Sequence, residues 1–227
     1  MTTAREPDPI WTTVDKYVEA QLIPSDPALA RALEASAAAG LPPIAVAPNQ
    51  GKLLQLWARA IGARNILEIG TLGGYSTIWL ARALPQGGKV VTLELVPKHA
   101  EVAQASFEHA GLADRIELRL GRALETLQQL ASERRDAFDF VFIDADKASI
   151  PAYFDWSLKL TRPGSVIVVD NVVRRGAVAD PDNTDVHVRG VQRFHEVLAK
   201  EPRVSATTVQ TVGSKGYDGF TFALVVG

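Results

Sequence analysis

The chain of 227 residues contains no cysteine. Disulfide scaffolds, thiolate zinc sites, iron–sulfur clusters and cysteine nucleophiles are therefore excluded, and only oxygen and imidazole ligands remain for a metal. The chain also lacks an apolar run near the roughly 18 residues of a membrane span. Its first residues, MTTAREPDPIW, lack the apolar stretch of a secretory signal. We therefore expect a cytoplasmic protein without membrane association.

An excess of charge of either sign is also missing, since 24 Lys and Arg residues stand against 26 Asp and Glu residues, for a net charge of −2. A protein held to nucleic acid mainly by a basic face is not expected. Hydrophobic residues make up 47% of the chain, which is typical of a globular protein. We expect one domain over 1–227, in which a helical N-terminal segment, 1–45, covers the site or forms a dimer contact.

Continuous apolar runs alternate with helical segments from residue 65 onward. This pattern predicts a parallel sheet with helices on both faces, an α/β fold. The predicted strands span 65–70, 89–94, 116–120, 139–144 and 165–170. The predicted helices span 12–22, 27–39, 50–61, 75–84, 97–110, 124–135, 150–160 and 190–200. We expect Arg162-Pro163-Gly164 to end the helix at 150–160.

The last part of the chain departs from this alternation. Two strands, 204–212 and 220–226, are joined by GSKGYDG, which has turn residues and no room for a helix. Such a connection predicts an antiparallel pair. The sheet is therefore expected to have five parallel strands and a C-terminal hairpin.

The turn after the first strand, Glu68-Ile-Gly-Thr-Leu-Gly-Gly-Tyr-Ser76, is rich in glycine. Ligands of parallel sheets bind beside such turns, where the backbone can approach them closely. Glu94 ends the second strand, 94 − 70 = 24 residues after Gly70, and a carboxylate there can accept hydrogen bonds from both ribose hydroxyls. These features suit an adenosine-bearing ligand, either NAD or S-adenosylmethionine.

The glycine spacing favours the second ligand. A dinucleotide fingerprint is G-x-G-x-x-G, whereas this turn has Leu72 in place of the middle glycine. Glu68 would face a pyrophosphate badly and would suit a cationic amino or sulfonium group. An NAD-dependent oxidoreductase stays as the alternative.

Acidic residues end the fourth and fifth strands. Asp144 follows one strand, Asp170 and Asn171 follow the other, and parallel strands bring these ends to one edge of the sheet. Three oxygen ligands suit a hard cation such as Mg²⁺, which keeps further positions for water or substrate. An ammonium beside such a cation is disfavoured, so Lys147 is a candidate general base for a phenol. The alternative is that these are ordinary strand-end and surface charges.

The segments LEIGTLGGYST, VVTLE, FDFVFIDADK and VIVVDNVV resemble the cation-dependent O-methyltransferases, which include the catechol and caffeoyl-CoA enzymes. The resemblance extends from about residue 43 to the C-terminus. It implies a Rossmann-like class I methyltransferase fold, with a seven-stranded, mostly parallel sheet and an antiparallel C-terminal hairpin. It also implies transfer of a methyl group from S-adenosylmethionine to a catechol-like phenolic acceptor, and a homodimer.

The resemblance further implies a role for each matching residue. Asp144, Asp170 and Asn171 would ligate Mg²⁺ or another divalent cation such as Mn²⁺ or Ca²⁺, and Lys147 would be the catalytic base with Asp144 beside it. The residues implied to contact S-adenosylmethionine are Val46, Glu68, Gly70, Thr71, Ser76, Glu94, Ala123 and Asp146.

One position departs from the family pattern. Arg174 and Arg175 lie where caffeoyl-CoA enzymes carry a tryptophan, so the resemblance leaves open whether a CoA thioester is an acceptor. These arginines either meet an acidic acceptor or form a solvated turn. A non-enzymatic protein that binds an adenosyl ligand stays as a further alternative.

Overall fold

The structure, a computed structural model, describes residues 8–133 and 135–227. The start of the predicted N-terminal segment, 1–7, and Arg134 of the predicted helix 124–135 lie outside them. The helices are α1 Pro9–Leu22, α2 Pro27–Ala38, α3 Pro48–Ala60, α4 Tyr75–Ala81, α5 Pro97–His109, α6 Ala123–Ser132, α7 Ile150–Leu160 and α8 Val186–Leu198. The strands are β1 Asn65–Ile69, β2 Lys89–Glu94, β3 Ile116–Leu120, β4 Phe138–Ile143, β5 Thr161–Asp170, β6 Val204–Gly213 and β7 Gly216–Val225. Short 3₁₀ turns cover Ala113–Arg115, Lys147–Ser149 and Arg174–Ala179.

The seven strands form one sheet in the order β3-β2-β1-β4-β5-β7-β6. Strands β1 to β5 are parallel, and β7 runs antiparallel to both β5 and β6. The predicted parallel sheet with an antiparallel C-terminal hairpin is confirmed. The strand order reverses between β1 and β4, the place where open α/β sheets bind ligands.

Helices cover both faces of the sheet. On one face, alternate strand residues such as Ile66 and Phe140 pack with Leu54 of α3 and Phe107 of α5. On the other face, the neighbouring strand residues pack with α6, α7 and α8, including Leu127, Phe154 and Phe194. Because both faces are buried, the central strands carry apolar residues at successive positions.

Helix α7 ends at Leu160, as predicted for the helix before Arg162-Pro163-Gly164, but this segment is not a loop. It lies inside β5, because Phe138 pairs with Thr161 whereas Phe140 pairs with Val166. The extra residues of β5 form a bulge, which the Ser165 hydroxyl stabilises by donating to the Phe138 carbonyl at 2.8 Å.

The connection between β6 and β7 is also shorter than predicted. Gly213 pairs with Gly216, so that the turn contains two residues and Tyr217, Asp218 and Gly219 belong to β7. Two-residue turns are the commonest hairpin connection.

Helix α1 is tied to the rest of the chain by polar contacts. The Asp15 carboxylate accepts hydrogen bonds from the Ser214 backbone N–H at 2.6 Å and from Asn49 Nδ2 at 3.3 Å. Along its described length α1 buries no residue, and Ile10 and Tyr17 are exposed. None of the described helices is long and apolar enough to cross a membrane.

Candidate active site

A cavity of about 770 Å³ opens at the carboxyl ends of the parallel strands. This volume is in the range of small-molecule sites. The predicted site residues that line it are Val46, Gly70, Thr71, Ser76, Glu94, Ala123, Asp144, Asp146, Lys147 and Asn171. Asp170, the residue before Asn171, is 5% exposed and is not part of the lining. Glu68 is outside the lining.

Gly70 fixes the course of the turn between β1 and α4. Its φ is +103°, and a Cβ there would overlap the carbonyl oxygen of Asp144. The Gly70 N–H donates to Leu93 and the Asp144 N–H donates to Ile69. The glycine therefore brings the ends of β1, β2 and β4 together, as the sequence predicted for a close-approach turn.

Glu94 joins this turn to the end of β2. One carboxylate oxygen accepts from the N–H groups of Thr71 at 3.3 Å and Leu72 at 2.8 Å. The other accepts from Leu95 and Val96, both at 2.9 Å. This structural role of Glu94 was not suggested by the sequence, and its contact with a ribose stays a prediction.

Glu68 lies beneath the turn and is 0% exposed. The hydroxyls of Ser76, Thr77 and Thr92 all donate to its carboxylate. Burial raises the pKa of Glu68 to about 7, against the lowering effect of these three donors. Glu68 is therefore not part of the cavity lining, and its contact with S-adenosylmethionine stays a prediction. Its side chain points to the sheet face covered by α4, whose first turn supplies two of the hydroxyls.

The acidic residues at the ends of β4 and β5 form the opposite wall. Lys147 Nζ donates to Asp144 Oδ1 at 2.7 Å, although Lys147 is only 7% exposed. Asp170 Oδ1 accepts from the Asn171 N–H at 2.8 Å, and Asp170 Oδ2 accepts from Gln50 Nε2 at 2.6 Å. Burial and the nearby charge of Asp144 raise the pKa of Asp170. Two carboxylates and an amide in this environment suit a divalent cation, whose charge would relieve the repulsion between the carboxylates.

Helix α8 fixes the position of Lys147. Gly190 of α8 packs against the backbone of Lys147 and Ala148, where a Cβ would overlap the Lys147 carbonyl oxygen. A side chain at Gly190 would therefore displace the 3₁₀ turn that carries Lys147.

Backbone strain is concentrated at this cavity. The described residues other than glycine that have a positive φ are Leu72, Asn171, Arg174 and Arg175, and the first three line the cavity. Such conformations cost of order 1 kcal/mol each and are frequent at functional sites.

Known proteins are similar to this chain over almost its whole length. A family model described as O-methyltransferase matches residues 20–224. The chain belongs to the O-methyltransferase family. It is 52% identical over 222 residues to the catechol O-methyltransferase of Mycobacterium tuberculosis, covering 97% of this chain and 98% of the relative. It is 50% identical over 216 residues to that of Niastella koreensis, covering 95% and 98%.

A solved structure adds the ligand of a relative. The O-methyltransferase from Bacillus cereus, in complex with SAH, is 60% identical with a TM-score of 0.94, and the match covers 95% of this chain and 98% of that one. This chain is therefore an S-adenosylmethionine-dependent O-methyltransferase, and the alternatives of an NAD-dependent oxidoreductase and a non-enzymatic binding protein are wrong.

Several residues of the O-methyltransferase site were missed by the sequence analysis. Tyr153 donates to Asp146 Oδ2 at 2.5 Å, and the Ser149 N–H donates to Asp146 Oδ1 at 3.0 Å. Partial burial raises the pKa of Asp146, but these hydrogen bonds lower it overall. The spacing of seven residues from Asp146 to Tyr153, two helical turns, could have indicated this contact. Gln50 had no local signal, because it is 120 residues from Asp170.

No cluster of three or more His, Cys, Asp or Glu side chains suited to a metal occurs within the described ranges 8–133 and 135–227. The predicted cation ligands of this O-methyltransferase are two carboxylates and an amide, Asp144, Asp170 and Asn171. A cation bound there would therefore take its remaining ligands from water or substrate.

Proposed function

We propose that this O-methyltransferase transfers the methyl group of S-adenosylmethionine to a hydroxyl of a catechol-like acceptor, a vicinal diphenol, with the help of a divalent cation. The observation that carries the proposal is the pairing of Lys147 with Asp144 in the same cavity as Asn171, beside Asp170. Two relatives at 50% and 52% identity are named catechol O-methyltransferases, which supports the same acceptor class.

The methyl donor is assigned to the side of the cavity formed by β1, β2 and β3. Gly70, Thr71 and Ser76 would contact its methionine part, and Glu94 its ribose. Val46, Ala123 and Asp146 would complete this side, with Ala123 next to the adenine. Glu68 has an indirect role here, since it holds the first turn of α4 from below.

The cation is assigned to Asp144, Asp170 and Asn171. Mg²⁺ is the first choice, and Mn²⁺ or Ca²⁺ have the same preference for oxygen ligands. When bound, such a cation would make a phenolic hydroxyl of the acceptor more acidic. Gln50 positions Asp170 through its hydrogen bond to Oδ2.

Lys147 is the proposed general base. In its neutral form, Nζ would accept the phenol proton, and the phenolate oxygen would attack the methyl carbon. The carbon–sulfur bond breaks with its electron pair going to sulfur, which converts the sulfonium into a thioether. Binding both reactants in one cavity aligns oxygen, carbon and sulfur, and such alignment can be worth effective molarities of about 10⁵ M.

The test is a methyl-transfer assay with S-adenosylmethionine and a panel of vicinal diphenols, in Mg²⁺ and in EDTA. We expect turnover that requires the cation and produces SAH and the monomethyl ether. Turnover that is unchanged after exhaustive chelation would contradict the cation, and turnover of monophenols at the same rate would contradict the acceptor class. The homodimer and the cytoplasmic location stay predictions.

A further inference from the structure

Arg174 is a cation in the cavity wall without a partner in the described part of the chain. Its Nε is buried and has no hydrogen-bond partner, and its guanidinium has no ion pair there. The other Lys and Arg residues of the cavity lining have acidic partners. Lys147 pairs with Asp144, and the Nε atom of Arg122 lies 3.4 Å from a carboxylate oxygen of Glu125. The charge of Arg174 contributes to the lowered pKa of the exposed Asp185, after the backbone hydrogen bonds of that residue, but the two do not form an ion pair. Arg174 therefore brings to the cavity wall a positive charge that no described acidic side chain pairs with, and an anionic ligand group can supply the missing partner.

The backbone of Arg174 is held rigidly at the cavity. Its φ is +54°, and Asp218 Oδ1 accepts the N–H groups of Val173 at 3.0 Å and Arg174 at 2.9 Å. The Val172 N–H donates to the Gly219 carbonyl at 3.0 Å. These bonds to β7 fix the segment after β5, so the strained conformation of Arg174 is imposed by its surroundings.

The neighbouring arginine has a different environment. Arg175 has a similar φ of +56°, but it is exposed and does not line the cavity. Arg174 follows Asn171 by three residues, on the side of the site assigned to the cation and the acceptor. Its charge is therefore available to the acceptor rather than to the adenosine part of the methyl donor.

We propose that Arg174 determines specificity by binding a carboxylate carried by the acceptor, so that the preferred substrate is a vicinal diphenol with an acidic substituent. This inference rests on the proposed function. A guanidinium can donate two parallel hydrogen bonds from its terminal nitrogens to one carboxylate, which neutralises its charge. A neutral diphenol would leave that charge without a counter-charge.

The test compares two probes of the same shape, 3,4-dihydroxybenzoate and the neutral 3,4-dihydroxybenzamide. We expect the wild-type protein to have the higher kcat/KM for the benzoate. Arg174→Gln should lower kcat/KM for the benzoate by about tenfold to a hundredfold and leave the benzamide within about twofold. Arg174→Lys should lose part of the preference, because it keeps the charge without the fork. Arg175→Gln is the matched control and should keep the wild-type preference.

Calorimetric binding of both probes to the SAH-loaded protein separates this inference from the proposed function. Tighter binding of the benzoate without any methyl transfer would contradict the proposed function and uphold the role of Arg174. Equal binding of the two probes by the wild-type protein would overturn the inference, whatever the variants do. An equal loss for both probes in Arg174→Gln would overturn it as well.

Discussion

The two sides of the cavity differ in how their charges are compensated. On the side of β1 and β2, Glu94 accepts four backbone N–H groups and Glu68 accepts three hydroxyls. On the side of β4 and β5, the charge of Asp144 raises the pKa of Asp170, and Arg174 has a buried Nε without a partner in the described residues.

This difference indicates which side of the cavity is ordered before a ligand binds. The β1–β2 side is built by internal hydrogen bonds and is complete before a ligand binds, which reduces the cost of binding the methyl donor. On the β4–β5 side Lys147 pairs with Asp144, whereas Asp170 and Arg174 have no ion pair among the described side chains. The proposed cation and acidic acceptor would supply their partners.

The largest effect is expected from the proposed base. Lys147→Met should lower kcat by about 10²- to 10⁴-fold, because it removes the proton acceptor while filling a similar volume. The affinity for SAH, measured by calorimetry, should stay within about twofold of the wild-type value. Lys159→Met on α7, which removes an exposed lysine paired with Asp155, should change neither quantity. Loss of SAH binding in Lys147→Met would break the division of the site into two sides.

Glu94→Gln should have a smaller effect, and it should change the affinity for the methyl donor rather than kcat. The amide would place an N–H₂ group against two of the backbone N–H donors, which loosens the turn and weakens ribose binding. We expect the Kd for SAH to rise about tenfold, with kcat at saturating S-adenosylmethionine nearly unchanged. Glu101→Gln, an exposed position on α5, is the control. A main effect on kcat would place Glu94 with the reacting groups instead.

Glu68 should affect stability rather than turnover. Its pKa is about 7 in the folded chain and 4.5 as the unperturbed value, so the folded state holds a proton that the unfolded state has lost between these pH values. Because of Glu68, the free energy of unfolding should therefore fall by about 1 kcal/mol per pH unit as pH rises through this window. Urea unfolding of Glu68→Gln from pH 5 to 8 should show a shallower fall than the wild-type protein. Equal slopes would mean that Glu68 is ionised in the folded state.

Much of the fold was predictable because the signals are local. Strands β2 and β3 and helix α7 have the predicted bounds, since apolar runs, glycines and prolines mark them in the sequence. The bulge in β5 was missed because it depends on pairing with Phe138 of β4. The position of Glu68 beneath the turn was not predicted, because both faces of this sheet are buried and the sequence does not show which face a strand residue meets.

The candidate site was predicted where its residues follow strand ends, as Asp144 and Asn171 do. The contacts that tune it are distant in sequence, such as Gln50 with Asp170 and Asp218 with the backbone of Arg174. The sequence left open whether Arg174 is a solvated turn residue, and the structure answers this by placing it in the cavity wall.

The most direct test of the account is to count bound Mn²⁺ by electron paramagnetic resonance in the SAH-loaded protein. The account predicts one Mn²⁺ site per chain, weakened at least about tenfold in Asp170→Asn and unchanged in Asp155→Asn, an exposed control on α7. No bound Mn²⁺ in the wild-type protein, or equal binding by both variants, would contradict the assignment of a cation to the β4–β5 side.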